Sequence, residues 1–224
     1  MHKIKDILLL LFIGTCSFTM NAQDDELMIR LRTGHNSTFG GFAALSLETL
    51  QTFDSNLQIN GGVQYNSIGR TAIEARPGYY KDYDWGRITA EALLAYKNLA
   101  SVNSLAAGAG VEASGRWVAV RFGYYYHLYG RGGETINEPF NIYYELRVNL
   151  LPMLQSWDLH LAITNNERFE LERHYQPTYL AECRYDMKDY LGLTIGAGYK
   201  PAGTFNLTAD YYQSFINLGV CYRW

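Results

Sequence analysis

Beyond the first 22 residues the groups that could do chemistry are four histidines (His35, His127, His160 and His174), two cysteines and a scatter of acids. His35-Asn36-Ser37 sets an imidazole and a hydroxyl two residues apart. On a strand that spacing puts both side chains on one face. His35 would then be the base and Ser37 the nucleophile in attack on an ester. The competing account is a polar hairpin tip, because His35-Asn36-Ser37-Thr38 is rich in turn formers. Asp158 and His160 have the same spacing and face one way, which fits an inward structural pair as well as an acid–base pair. No two histidines stand at the spacing of a zinc site, and Cys183 and Cys221 are far from them, so neither a metal nor another cofactor is expected.

The His35-x-Ser37 triplet resembles the His-x-Ser element of outer-membrane phospholipase A and of the lipid A deacylase, both barrel enzymes. The resemblance implies a lipid-modifying esterase or deacylase. It covers three residues, and in those families the element lies in a later strand rather than in the first hairpin. Acid–histidine pairs also occur in barrel proteases of the outer membrane, but the accompanying loop acids have no counterpart here.

The elements that would carry these groups begin after an export signal. Lys3 and Lys5 precede the apolar run Ile7–Ile13, and a small-residue zone ends at Asn21-Ala22. This order predicts a secretory signal over residues 1–22, cleaved after Ala22. The run is about half the roughly 20 residues that a membrane helix needs. Cys16 follows Ile13-Gly14-Thr15, a poor lipobox. Removing residues 1–22 takes away Lys3, Lys5 and Asp6, so 19 basic and 22 acidic residues become 17 and 21. The resulting charge of -4 argues against nucleic acid as a partner. Two cysteines are no disulfide framework.

Residues 23–224 read as one domain, with no linker-like stretch. Tyr occurs 19 times, Gly 21 times and Pro only 5 times. Period-2 alternation runs through the chain. At the carboxyl end Ile216, Leu218, Val220, Tyr222 and Trp224 share one face. This resembles the carboxyl-terminal signal that the barrel assembly machinery of bacterial outer membranes reads. Phe140–Leu150, Val118–Tyr126 and Trp157–Ile163 alternate in the same way. Each run is about the length of a tilted membrane strand. One face is aliphatic and aromatic, fit for lipid. The other mixes small residues with charges, fit for a lumen.

The fold class expected is an all-β, antiparallel transmembrane β-barrel of about 12 strands, with 10 or 8 as alternatives. The runs are 26–34, 39–52, 57–67, 70–80, 85–98, 104–113, 117–129, 138–150, 157–165, 174–185, 191–199 and 205–224, the last with a bulge near Gln213-Ser214. With both chain ends in the periplasm, longer connections at Arg131–Asn137 and Asn165–Arg173 fall outside the cell. Short ones at Asp54–Asn56 and Asp186–Asp189 fall inside. The location implied is the outer membrane of a Gram-negative-type bacterium. The pattern, including the signal end Asn21-Ala22-Gln23, resembles barrel proteins of the Bacteroidota.

In this register the inward acids are Glu48, Glu74, Glu91, Glu112, Glu145, Asp158, Glu182 and Asp210. The inward bases are Arg30, Arg32, Arg76, Arg87, Arg121, Arg147, Arg184 and Arg223. A balanced interior favours paired networks and a narrow or occluded lumen, whereas selective pores carry rings of one sign. His160 joins this set. Cys183 and Cys221 are placed on the outward face, two strands and about 10 Å apart, as free thiols beyond disulfide reach. Tyr79-Tyr80, Tyr124-Tyr125-Tyr126 and Tyr211-Tyr212 read as interfacial girdle, with a sugar platform as the alternative. The glycines at Gly108, Gly110, Gly192, Gly196 and Gly198 let strands curve. Three functions fit: a non-enzymatic structural barrel or narrow channel for small solutes, the esterase of His35 and Ser37, and a secreted soluble β-barrel that binds a ligand. Outer-membrane lipid is the expected surrounding.

Overall fold

The computed structural model describes residues 25–37, 40–53, 55–99, 102–131, 134–154, 156–167, 170–171, 177–201 and 213–224. The strands are β1 (Glu26–Asn36), β2 (Gly40–Phe53), β3 (Leu57–Asn66), β4 (Arg70–Tyr83), β5 (Gly86–Leu99), β6 (Val102–Gly115), β7 (Val118–Arg131), β8 (Glu134–Asn149), β9 (Trp157–Thr164), β12 (Thr178–Lys188), β13 (Leu191–Lys200) and β14 (Gln213–Arg223), with a two-residue ribbon, β10 (Asn166–Glu167) and β11 (Glu170–Leu171), between β9 and β12.

The twelve longer strands form one closed antiparallel barrel in the order β1-β14-β13-β12-β9-β8-β7-β6-β5-β4-β3-β2. β1 and β14 close it in unbroken register from Glu26↔Arg223 to Asn36↔Gln213. Closure leaves no edge, as hydrocarbon demands. β4 to β8 run to 14 or 16 residues, longer than the 9–11 or so that cross a bilayer, so their ends stand clear of the membrane.

Local chemistry places the turns. Asn56 adopts φ 59° in the β2–β3 turn, a conformation its short amide tolerates. Gly86 opens β5 at φ 152°, and a Cβ there would overlap the Ser114 carbonyl oxygen. The β7–β8 ladder shifts between Tyr125 and His127. The shift falls opposite Pro139, which has no N–H to give the ladder.

Outside and inside are reversed relative to a soluble protein. Ile29, Leu31, Leu45, Ile195, Leu218 and Val220 are about half exposed and share one outward apolar patch. Such a belt would be severe in water and is at rest in lipid. Inside, Arg30, Arg32 and Arg76 are buried. This excludes the secreted soluble barrel. Aromatic pairs at the end that holds Glu26 and Arg223, stacked Tyr83–Trp85 and Tyr222–Trp224 and tilted Trp157–Tyr185, form a girdle.

Several expectations need correction. β8 starts at Glu134, so Arg131–Asn137 is no long loop; the β7–β8 pairing continues to Arg131↔Glu134. The β8–β9 connection, 150–156, is the longer one at the terminal end. From Gln213 on, β14 pairs with β13 without a shift, from Lys200↔Gln213 to Leu191↔Tyr222, so the described strand has no bulge; whatever precedes Gln213 in the expected long strand lies outside the described residues. Residues 205–212 of the expected last strand, with Asp210 and Tyr211-Tyr212, lie outside the described residues, as do the signal segment, Cys16 and His174.

Candidate functional site in the lumen

Inward positions on neighbouring strands stand side by side, so alternation alone brings distant charges together. Glu112, Arg121 and Glu145 are successive partners across β6, β7 and β8. The Arg121 guanidinium is the hub: it pairs with Glu112, with Glu145 at 3.3 Å and with Glu91 at 3.5 Å. Arg76 on β4 pairs with Glu74 at 2.6 Å and with Glu91 at 3.2 Å. Arg147 holds the other side of Glu145 at 2.8 Å. The chain Glu74–Arg76–Glu91–Arg121–Glu145–Arg147 thus ties β4 to β8 across the lumen.

A second group lies around the closing seam. Arg30 pairs with Glu182 and, at 3.4 Å, with Glu48. Nearer the terminal end, Arg184 grips Glu26 with both Nη atoms at 3.1 and 2.9 Å and Asp186 at 2.9 Å. Arg223 joins the same two acids at 3.4 and 3.2 Å. Fork-shaped guanidiniums suit such shared carboxylates. Asp158 Oδ1 stands 3.6 Å from His160 Nδ1.

Aromatic rings fill much of the remaining width. Tyr143 is fully buried, donates to Glu91 at 3.2 Å, and lies where Gly110 and Gly123 leave room; a Cβ on either would overlap its ring or hydroxyl. Tyr125, Leu93, Ala95 and Ala106 pack with it. On the opposite wall Phe215 covers Gly198, and the Arg32 guanidinium sits 4.2 Å above its ring while donating to Asn217 at 3.0 Å. Between these fillings is a cavity of about 320 Å³, lined by groups that include Arg76, Arg121, Arg147, Asp158, His160 and Asn166. The Asn166 amide is buried there, with neither its nitrogen nor its oxygen hydrogen-bonded to the described residues.

The structure places Glu91, Glu112, Arg121, Glu145, Arg147, Asp158, His160, Glu182 and Arg184 on inward faces, in contact with the partners just named. Arg87 is instead at the rim, paired with Asp82 at 2.6 Å and set over Tyr80. His35 is on the outward face of β1 and exposed, opposite Gly41 and Ser214; Ser37 is exposed in the turn that follows. Ile216, Leu218, Val220, Tyr222 and Trp224 all face outward and are about half exposed.

Two side chains are on the other face from the one expected. Cys221 points inward, is fully buried, and receives Arg184 Nη2 at 2.8 Å. Cys183 remains in the outward belt. Both are free, and the barrel wall separates them. Tyr125 belongs to the interior filling, not to a girdle, since Tyr124 and Tyr126 flank it on the outward face. Sequence reasoning missed Glu26, Asp186, Tyr143 and Phe215. Glu26 and Asp186 continue the inward series of Met28 and Arg184 by steps of two, a signal that was present. Tyr143 and Phe215 gave none, because an apolar ring at an inward position looks like a break in the pattern.

No family model matches the chain, and no curated protein sequence matches it. Solved structures do. A KdgM porin superposes with a TM-score of 0.58 at 10% identity, over 89% of this chain and 99% of the porin. A NanC porin gives 0.57 at 12%, over 88% and 100%. The outer membrane phospholipase A from Escherichia coli gives 0.53 at 10%, over 92% of each chain. At such identities the likeness is one of fold: the chain folds as a bacterial outer-membrane β-barrel.

Proposed function

We propose that this barrel is a narrow channel for small polar solutes, whose lumen is constricted by its own ion pairs. The observation that carries the reading is the Arg121 hub, which draws Glu91, Glu112 and Glu145 from three strands onto one guanidinium. An interior of mixed, mutually neutralised charge gives little preference between cations and anions, because selective filters rely on one sign. A cavity of about 320 Å³ admits a small solute and no polymer coil. The porins among its structural likenesses agree with a channel, as fold analogy only.

Export would use residues 1–22 as signal and the Ile216–Trp224 face for recognition by the assembly machinery. The channel reading is tested by conductance of the refolded protein in a planar bilayer. Small steps that scale with salt, with a reversal potential near zero in a salt gradient, are expected. Large steps of an open pore, strong selectivity, or silence from a correctly folded barrel would each remove it.

A further inference from the structure

We propose that the lumen carries a Ser–His–Glu hydrolytic centre, Ser104–His127–Glu138, acting on short-chain carboxylic esters. It goes beyond the channel reading and does not depend on it. The pair that the sequence offers, His35 and Ser37, is on the outer surface and in a turn. A different serine and histidine meet inside. Ser104 on β6 and His127 on β7 approach with Oγ and Nε2 2.5 Å apart. That contact is what a nucleophile and its base require.

The third member is set by the one register shift in the β7–β8 ladder. Without it Pro139 would stand opposite His127; with it Glu138 does. Bulges re-aim side chains in this way, often beside active sites. Glu138 is held in turn by the Tyr129 hydroxyl, which donates to it at 3.3 Å. Tyr125 meets the His127 ring edge-on, and the Tyr129 ring is 3.9 Å from it, centroid to centroid. Lys97 is the direct partner of Ser104 across the β5–β6 ladder, a cation near where an oxyanion would form. The centre is toward the loop end of the barrel, near the start of β6 and the end of β7, with the His127 side chain buried.

In the reaction Ser104 Oγ adds to the ester carbonyl as its proton passes to His127 Nε2. Collapse breaks the bond to the leaving alcohol, which takes that proton. Water then attacks the acyl-serine through the same base, releasing the acid and restoring Ser104. Glu138 is a positioning residue that holds the imidazole.

The test uses the full-length refolded barrel and a fluorophosphonate probe, which loses fluoride as its phosphorus bonds to Oγ. Mass spectrometry should find one adduct, on Ser104. Labelling should vanish in Ser104→Ala, slow at least ~100-fold in His127→Gln, and persist in Ser37→Ala. Glu138→Gln should shift the pH profile of labelling, a readout that a merely structural role would not move. Each variant is first checked for the shifted gel mobility of a folded barrel. No adduct on Ser104 in the folded protein, an adduct on Ser37 alone, or equal rates after His127→Gln would overturn the proposal. Conductance is unaffected by any of these results, so this test and that of the channel fail separately.

Discussion

Arg121→Ala removes the hub of the lumen. The guanidinium touches Glu91, Glu112 and Glu145. After its loss Glu91 keeps Arg76 and Glu145 keeps Arg147, while Glu112 retains no cation among the ion pairs described. One carboxylate is therefore stranded and two are half-compensated. Breaking a buried pair costs about 3–5 kcal/mol. These side chains are 13–17% exposed where they face Arg121, apart from Glu91 at 5%, and water in the cavity relieves part of the cost. A loss of about 2–4 kcal/mol is expected. Urea unfolding of the barrel in lipid vesicles reads it: at an m of about 2 kcal/mol per M, the midpoint falls by roughly 1–2 M with m unchanged. Adding Glu112→Gln to the variant should restore part of the loss, since the stranded charge is then gone. The same variant should turn conductance toward cations. A midpoint within about 0.2 M of the parent, or no coupling to Glu112→Gln, would refute the hub.

Three further outcomes follow from the two faces of the wall. Gly123→Ala puts a methyl into the Tyr143 ring and against the Ala109 carbonyl oxygen, and should cost about 1–3 kcal/mol by overpacking, with a changed near-ultraviolet tyrosine signal. Leu218→Arg places a cation on the lipid face at the middle of β14 and should cost about 2–4 kcal/mol in vesicle unfolding, whereas Asn217→Arg, one residue away, perturbs the lumen instead. A lipid-soluble maleimide should label Cys183 in the folded barrel and spare Cys221, and both should react after unfolding; equal reaction of the two in the folded state would reverse the facing of β14.

The barrel was legible because one physical demand repeats. Every spanning strand must show lipid a near-continuous apolar face, so alternation in runs such as Val118–Tyr126 and Phe140–Leu150 is strict. Strand number followed from clusters of turn formers, a phase change at Ser114–Arg116, and the even count that two chain ends on the periplasmic side demand. The loop ends were less legible: past the bilayer the demand lapses, and β7 and β8 continue as a paired extension whose polar and glycine residues read as loop. The interior was legible as charge but not as filling. Arg121, Glu112 and Glu145 could be put on one face from parity, yet nothing in their spacing said that one guanidinium would gather three acids from neighbouring strands. Tyr143 and Phe215 escaped because their places depend on absent side chains elsewhere, at Gly110, Gly123 and Gly198. The Pro139 bulge inverts parity within β8, and with it the facing of Glu138.

The choice of filling bears on what the lumen is for. Aliphatic packing would close a twelve-stranded barrel at least as stably, since buried ion pairs rarely outperform well-packed apolar groups. An apolar plug would also stay dry. The interior here is half built that way, with Leu93, Tyr125 and Tyr143 in contact. Beside that cluster run the guanidinium–carboxylate chain and a polar cavity whose lining includes a buried Asn166 amide with no hydrogen-bond partner among the described residues. On the proposed channel reading, costly charges kept next to a ready apolar alternative would serve a wet path for polar solutes. On that reading the pairing follows as well: unpaired charges would not survive burial, while paired ones would narrow the path and keep it hydrated.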